Sequence, residues 1–171
     1  LGTHHPSWLR TAGVPLFVSR RRLAPLKKLP RAIAPWVLDS GGFSELQMFG
    51  RWTIEPAEYV AQVRRFRAEV GRLEWAAPQD WMAEPPVREG LVRHKKGKRP
   101  RAIDVATWRA WAVQQGPVLA RAVADADALG DQAEVVFHGT GLSGEEHQRL
   151  TVANLLELRE LAPEIPWAPV L

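Results

Sequence analysis

The sequence predicts a parallel α/β fold, either part of a (β/α)8-type barrel or a smaller open sheet. Two observations predict it. Short apolar runs alternate with a helical period. Two of those runs end abruptly in polar or glycine residues, as strands do at the carboxyl rim of an α/β sheet. The expected order is strand, strand, helix, strand, inserted segment, helix, strand. A complete eight-stranded barrel takes about 250 residues, so the 171 residues here correspond to roughly its N-terminal half.

Val14-Pro15-Leu16-Phe17-Val18-Ser19 is the first expected strand, and Trp36-Val37-Leu38 the second. Both are short apolar runs suited to a buried sheet. A basic, proline-punctuated connection joins them. The second strand runs straight into Asp39-Ser40-Gly41-Gly42. A helix follows, with Pro56 in its first turn and Gly71 at its end. Tyr59, Val63, Phe66 and Val70 make its apolar face. Leu73 to Ala77 is the third strand, ending at Pro78-Gln79-Asp80.

The segment from about 87 to 137 differs in character and is expected to be a basic, helical insertion within a single domain spanning 1–171. Asp104 suits an N-cap, Trp108 and Trp111 lie on the helix it would open, and an alanine-rich helix follows Gly116-Pro117. Packing of the inserted helices is the expected role of the two tryptophans, with base stacking the alternative. Val135 to Phe137 suits a short strand. Ser143-Gly144-Glu145-Glu146 matches a capping box. The helix it opens carries His147, Leu150, Leu155, Leu158 and Leu161, and Pro163 and Pro166 stop it. Trp167 to Leu171 is the last expected strand.

Charge is unevenly spread. The net charge is +4, yet the stretches 20–31 and 88–101 together carry +12 and the remainder −8. Such clustering suits a polyanion, with solvated basic loops as the alternative. Arg20, Arg21, Arg22, Lys95, Lys96, Lys98 and Arg99 are the candidate nucleic-acid contacts. There are no cysteines, which excludes disulfides and a thiolate zinc site. His4 and His5 suit a polar N-terminal segment, and His138 and His147 lack a partner set for a metal, so no metal and no cofactor are expected. No apolar run approaches the length of a membrane span, and no signal-peptide pattern is present. A cytoplasmic protein without a membrane partner is expected. The chain opens on Leu1 without a start methionine and closes on an expected strand, which suggests a truncated product or fragment.

Trp36-Val37-Leu38-Asp39-Ser40-Gly41-Gly42-Phe43 resembles the Asp-Ser-Gly-Gly-Phe/Tyr segment of the tRNA-guanine transglycosylases. Glu74 to Pro85, with Asp80 followed closely by Pro85, resembles the second aspartate-bearing strand end of that family. His147-Gln148-Arg149 opens a helix leading to Ala168-Pro169-Val170-Leu171, as a similar helix in the family precedes a strand and a Gln-Gly loop. Leu1-Gly2-Thr3-His4, Pro15 to Arg20 and Ala77-Pro78-Gln79-Asp80-Trp81 resemble the DNA-modifying branch, deoxypurine in DNA protein A. The resemblance covers roughly 1–86 and 138–171.

It implies a TIM barrel that exchanges guanine in nucleic acid for a 7-deazaguanine, with DNA a better fit than tRNA. It implies that Asp39 is catalytic, handling protons, and that Asp39, Ser40, Gly41, Gly42, Phe43 and Asp80 bind the base. Asp80 would accept from the guanine ring N–H and exocyclic amine together, and Phe43 would stack. The family nucleophile is an Asp in the later half of the barrel, so a partner subunit or a missing C-terminal half is expected to supply it. Without the resemblance, Asp-Ser-Gly-Gly is equally good turn chemistry, Asp80 a cap and Phe43 a core residue. Three other functions fit the same residues: a DNA-binding half-barrel without catalysis of its own, a tRNA-guanine transglycosylase, and an unrelated α/β enzyme acting on a nucleotide sugar.

Overall fold

Four strands of the computed structural model lie parallel in one sheet, in the order β1-β2-β3-β4. They are β1 (Gly2–Thr3), β2 (Leu16–Ser19), β3 (Trp36–Asp39) and β4 (Leu73–Ala76). The structure describes residues 1–94, 101–102 and 133–168, with backbone alone at 92–94, 101–102 and 133–135. The chain divides into two units. The first comprises Leu1–Gly41, Ile54–Asp80 and Thr151–Leu171 and contains this sheet and the one-turn helix α1 (Arg20–Leu23). The second comprises Gly42–Thr53 and Trp81–Leu150.

Within the first unit, side chains alternate across the sheet as the pleat requires. Leu16 and Val18 of β2, and Trp36 and Leu38 of β3, are buried on one face. That face is covered by α3 (Pro56–Val70) and by the later turns of α5 (Gly144–Leu161), whose Leu158 belongs to the same core. Phe17, Val37 and Trp75 form a row on the other face and are half-buried. Phe17 and Trp75 approach to 5.9 Å between ring centroids.

Helix α3 forms where its sequence directs it. Pro56 occupies the first turn, where its missing N–H leaves no bond unmade. Tyr59, Val63, Phe66 and Val70 are all fully buried, and Val60 joins them. Gly71 closes the helix at φ 72°, its N–H donating to the Arg67 carbonyl at 3.2 Å. Arg64 and Arg67, off the apolar face, reach Glu164 and its carbonyl after α5. The chain then returns to the sheet: Trp167 bridges Ala76 in parallel, where the last strand was expected. Residues 169–171 lie outside the described residues.

The second unit contains α2 (Gly42–Phe49), α4 (Pro85–Glu89), the first turns of α5 and an antiparallel sheet of order β6-β5-β7. These strands are β5 (Leu91–His94), β6 (Arg101–Ala102) and β7 (Ala133–Phe137). The capping box at α5 is reciprocal: Glu146 N–H donates to Ser143 Oγ at 3.2 Å and Ser143 N–H to Glu146 Oε2 at 2.6 Å. His147, one residue on, is fully buried. Its Nδ1 donates to the Met82 carbonyl at 2.6 Å, and its Nε2 accepts from Thr140 Oγ1 at 2.6 Å. This is a neutral imidazole locked at both nitrogens.

Three features depart from the sequence reading. The two-residue strand β1 and the helix α2 after Gly41 were not expected. Both are short, and their partners are distant in sequence. Of the described residues in 87–137, 87–89 finish α4, and β5, β6 and β7 form the antiparallel sheet, with β7 where Val135 to Phe137 was the expected strand. Leu91 and Val92, inside the stretch read as a basic loop, pair with Phe137 and Val135. Strand pairing across more than forty residues leaves no periodic trace in a run rich in lysine and arginine. Asp104, Trp108, Trp111 and the alanine-rich stretch lie outside the described residues.

Phe66→Ala is expected to destabilise the chain by about 3–5 kcal/mol, read as a lower urea midpoint. Burial holds the folded pKa of His147 below its ordinary value. The unfolded state therefore binds the extra proton first, and stability falls as pH drops below about 6.5 toward the lowered folded value. Denaturation midpoints measured against pH should show this fall, and His147→Gln should flatten it.

Candidate functional site

The four parallel strands end at one level. Thr3 is in register with Val18, Ser19 with Asp39, and Leu38 with Ala76. The residues that follow each strand therefore emerge on one rim: His4-His5 after β1, Arg20-Arg21-Arg22 after β2, Ser40-Gly41 after β3 and Ala77 to Asp80 after β4. In parallel α/β sheets this carboxyl rim is where ligands bind.

Asp39 is the last residue of β3 and is half-buried. By strand alternation it shares its face with Val37 and Phe17. Ser40 is buried, and its hydroxyl donates to Asp80 Oδ1 at 2.8 Å. That bond joins the ends of two neighbouring strands and aims the Asp80 carboxylate. Gly41 follows at φ 81°, a conformation that side chains with a Cβ rarely adopt. A Cβ there would lie 3.0 Å from Arg21 Cγ and 3.2 Å from Ser19 Oγ. Glycine is required both for the turn and for the approach of Arg21.

Arg20 was expected beside Arg21 and Arg22 as a nucleic-acid contact. It is only 5% exposed. Its Nε donates to the Ser40 carbonyl at 3.1 Å and its Nη1 to Gln62 Oε1 at 3.3 Å. The guanidinium thus braces the turn that carries Asp39 and Ser40. Arg21 is half-buried along Gly41, while Arg22 is exposed and donates from Nη2 to His4 Nδ1 at 3.4 Å. Lys95, Lys96, Lys98 and Arg99 lie outside the described residues.

Tyr59 closes the site from below. Its hydroxyl donates to the Ala77 carbonyl at 2.6 Å, and Ala77 N–H donates to the Leu38 carbonyl at 2.9 Å. Burial first, then the charges of Asp39 and Asp80, push the phenol pKa far up, against the opposing effect of Arg20. The phenol therefore stays a donor, and two carboxylates and one guanidinium are gathered around it. The Asp80 loop has two further ties. Gln79 Nε2 donates to the Ile54 carbonyl at 2.9 Å, and Asn154 Nδ2 donates to the Gln79 carbonyl at 2.8 Å.

Gly42 and Phe43 belong to the second unit, where Gly42 opens α2. Phe43 is 46% exposed, and its ring packs edge-on against Phe137 at 5.4 Å. Sequence reasoning missed Arg20 as a brace, and with it Tyr59, Gln62, Gln79 and Asn154. The signal for Tyr59 was available: a tyrosine on an otherwise apolar helix face needs a buried acceptor. Among the described residues, no three His, Cys, Asp or Glu side chains gather as metal ligands. None of the described helices is long and apolar enough to cross a membrane.

Fold and site together define an α/β protein with a braced pair of aspartates on the carboxyl rim of a parallel sheet. Residues 1–118 match the family DeoxyPurine in DNA protein A, and the chain belongs to that family. Membership ties it to 7-deazaguanine modification of DNA and to the transglycosylases. The match runs past residue 86 into the segment read as an insertion, and it ends before α5. No curated protein and no solved structure matches the chain.

Gly41→Ala is expected to cost about 1–2 kcal/mol through the left-handed backbone alone. Displacement of Arg21 would add to it. Chemical denaturation of the variant beside wild type measures the loss.

Proposed function

We propose that the chain carries the base-reading rim of a DNA-guanine transglycosylase built on a (β/α)8-type barrel. The observation that supports this most directly is the Ser40–Asp80 hydrogen bond, which couples the Asp39-Ser40-Gly41 turn to a second aspartate on the neighbouring strand. The half-buried row Phe17, Val37 and Trp75 suits the inner layer of such a barrel.

Exchange of a base requires cleavage of an N-glycosidic bond and its re-formation with the same stereochemistry. A carboxylate nucleophile and a covalent sugar intermediate achieve this, with a second carboxylate managing protons. Asp39 takes the proton-handling role at the carboxyl rim of the sheet. Asp80, its carboxylate oriented by Ser40, accepts from the guanine ring N–H and exocyclic amine. Adenine lacks that pair of donors. The target base must leave the DNA stack to reach the rim.

Asp39→Ala is expected to abolish incorporation of 7-deazaguanine into DNA, read by mass spectrometry of digested DNA. Unchanged deazaguanosine content would overturn the role of Asp39. Asp80→Asn keeps the shape but weakens a charge-assisted pair, so affinity for the free base should fall roughly 10- to 100-fold. Isothermal titration with 7-deazaguanine checks this.

A further inference from the structure

A concave feature lies on the same rim, over β1 and β2. It is a groove of about 480 Å³ lined by His4, His5, Arg10, Arg21, Arg22 and Lys28, with Pro6, Pro25 and Pro30 among its walls. Among the described residues, no acidic side chain lines it. Charge therefore changes along the rim: cations over β1 and β2, aspartates over β3 and β4.

The groove is a built surface. Leu9 is buried in the core and anchors the turn that carries Arg10. His5 N–H donates to Thr3 Oγ1 at 3.0 Å. The opposite wall is held by Arg65, whose Nη2 donates to the Leu26 carbonyl at 2.7 Å. Arg21 belongs to both regions, lining the groove while its aliphatic stem lies against Gly41. A strand of nucleic acid seated in the groove would present its next nucleotide to the Asp39 and Asp80 end.

We infer that this groove is a docking site for the phosphodiester backbone of duplex DNA, beside the nucleotide whose base is read at Asp39 and Asp80. The inference rests on the base-exchange reading. Several guanidinium and ammonium groups without a carboxylate suit successive phosphates. The same groups have no use for a neutral base, which the aspartates recognise. Arg10 and Lys28 are exposed and supply two of the contacts.

The test compares wild type with the double variant Arg10→Gln/Lys28→Gln. Binding to a guanine-containing DNA duplex is measured by fluorescence anisotropy across salt concentrations, and binding of free 7-deazaguanine by calorimetry. The slope of log K against log salt is expected to shrink by up to about 2, at roughly 0.9 per lost phosphate contact. Duplex affinity should drop about tenfold or more at low salt, while affinity for the free base stays unchanged. Arg10→Lys/Lys28→Arg should restore the slope. An unchanged urea midpoint separates lost contacts from lost folding. Duplex affinity and slope both unchanged in the Gln variant would overturn the groove assignment and leave the base site standing. Wild type that prefers tRNA to duplex would overturn it as well. Failure of the base-exchange reading shows separately: the slope shrinks as expected, yet wild type binds no 7-deazaguanine.

Discussion

Parallel pairing in a shared register is the constraint on which the rest of the first unit depends. Once β1, β2, β3 and β4 align, their carboxyl ends reach the same level, and everything after them shares one rim. Helices then have to cover one face to return the chain to the start of the next strand. The apolar stripe of α3 meets Leu16, Val18, Trp36 and Leu38 on that face. The other face is left to residues that alternate with them, and Asp39 is among these. The position of a carboxylate thus follows from a packing rule that concerns the hydrophobic core.

The rim is held by hydrogen bonds from side chains behind it. Arg20 is the central one. A buried guanidinium is costly unless its donors are used. Here one donor binds the Ser40 carbonyl and another Gln62. The brace fixes the backbone of a turn whose side chains point elsewhere, and Ser40 in turn orients Asp80. Tyr59, Gln79 and Asn154 do the same for the backbone around Ala77 to Asp80. Bracing of this kind fixes the polar groups of the rim in one arrangement.

Legibility varied with the range of the interactions. Helix α3 was read from Pro56 to Gly71 because its cap, period and stop are local. The capping box of Ser143 and Glu146 was read for the same reason. The strands Leu16–Ser19, Trp36–Asp39 and Leu73–Ala76 showed as short apolar runs ending in polar residues. Strand β5 was hidden because its partners, Phe137 and Val135, are far along the chain and the run around it is basic. Arg20 was hidden by its neighbours, since three consecutive arginines carry no sign of which one turns inward.

The sequence by itself determined the parallel α/β class, the two aspartates at strand ends and the family. Each rests on local pattern: periodicity, the Asp39 to Phe43 motif, and the Asp80 strand end. Tertiary structure alone decided that Ser40 bonds Asp80, that Arg20 is buried while Arg22 is exposed, and that His4, Arg10 and Lys28 share a groove. Those facts depend on which strands are neighbours and on what burial does to charge. Neither is written in the spacing of residues along one segment.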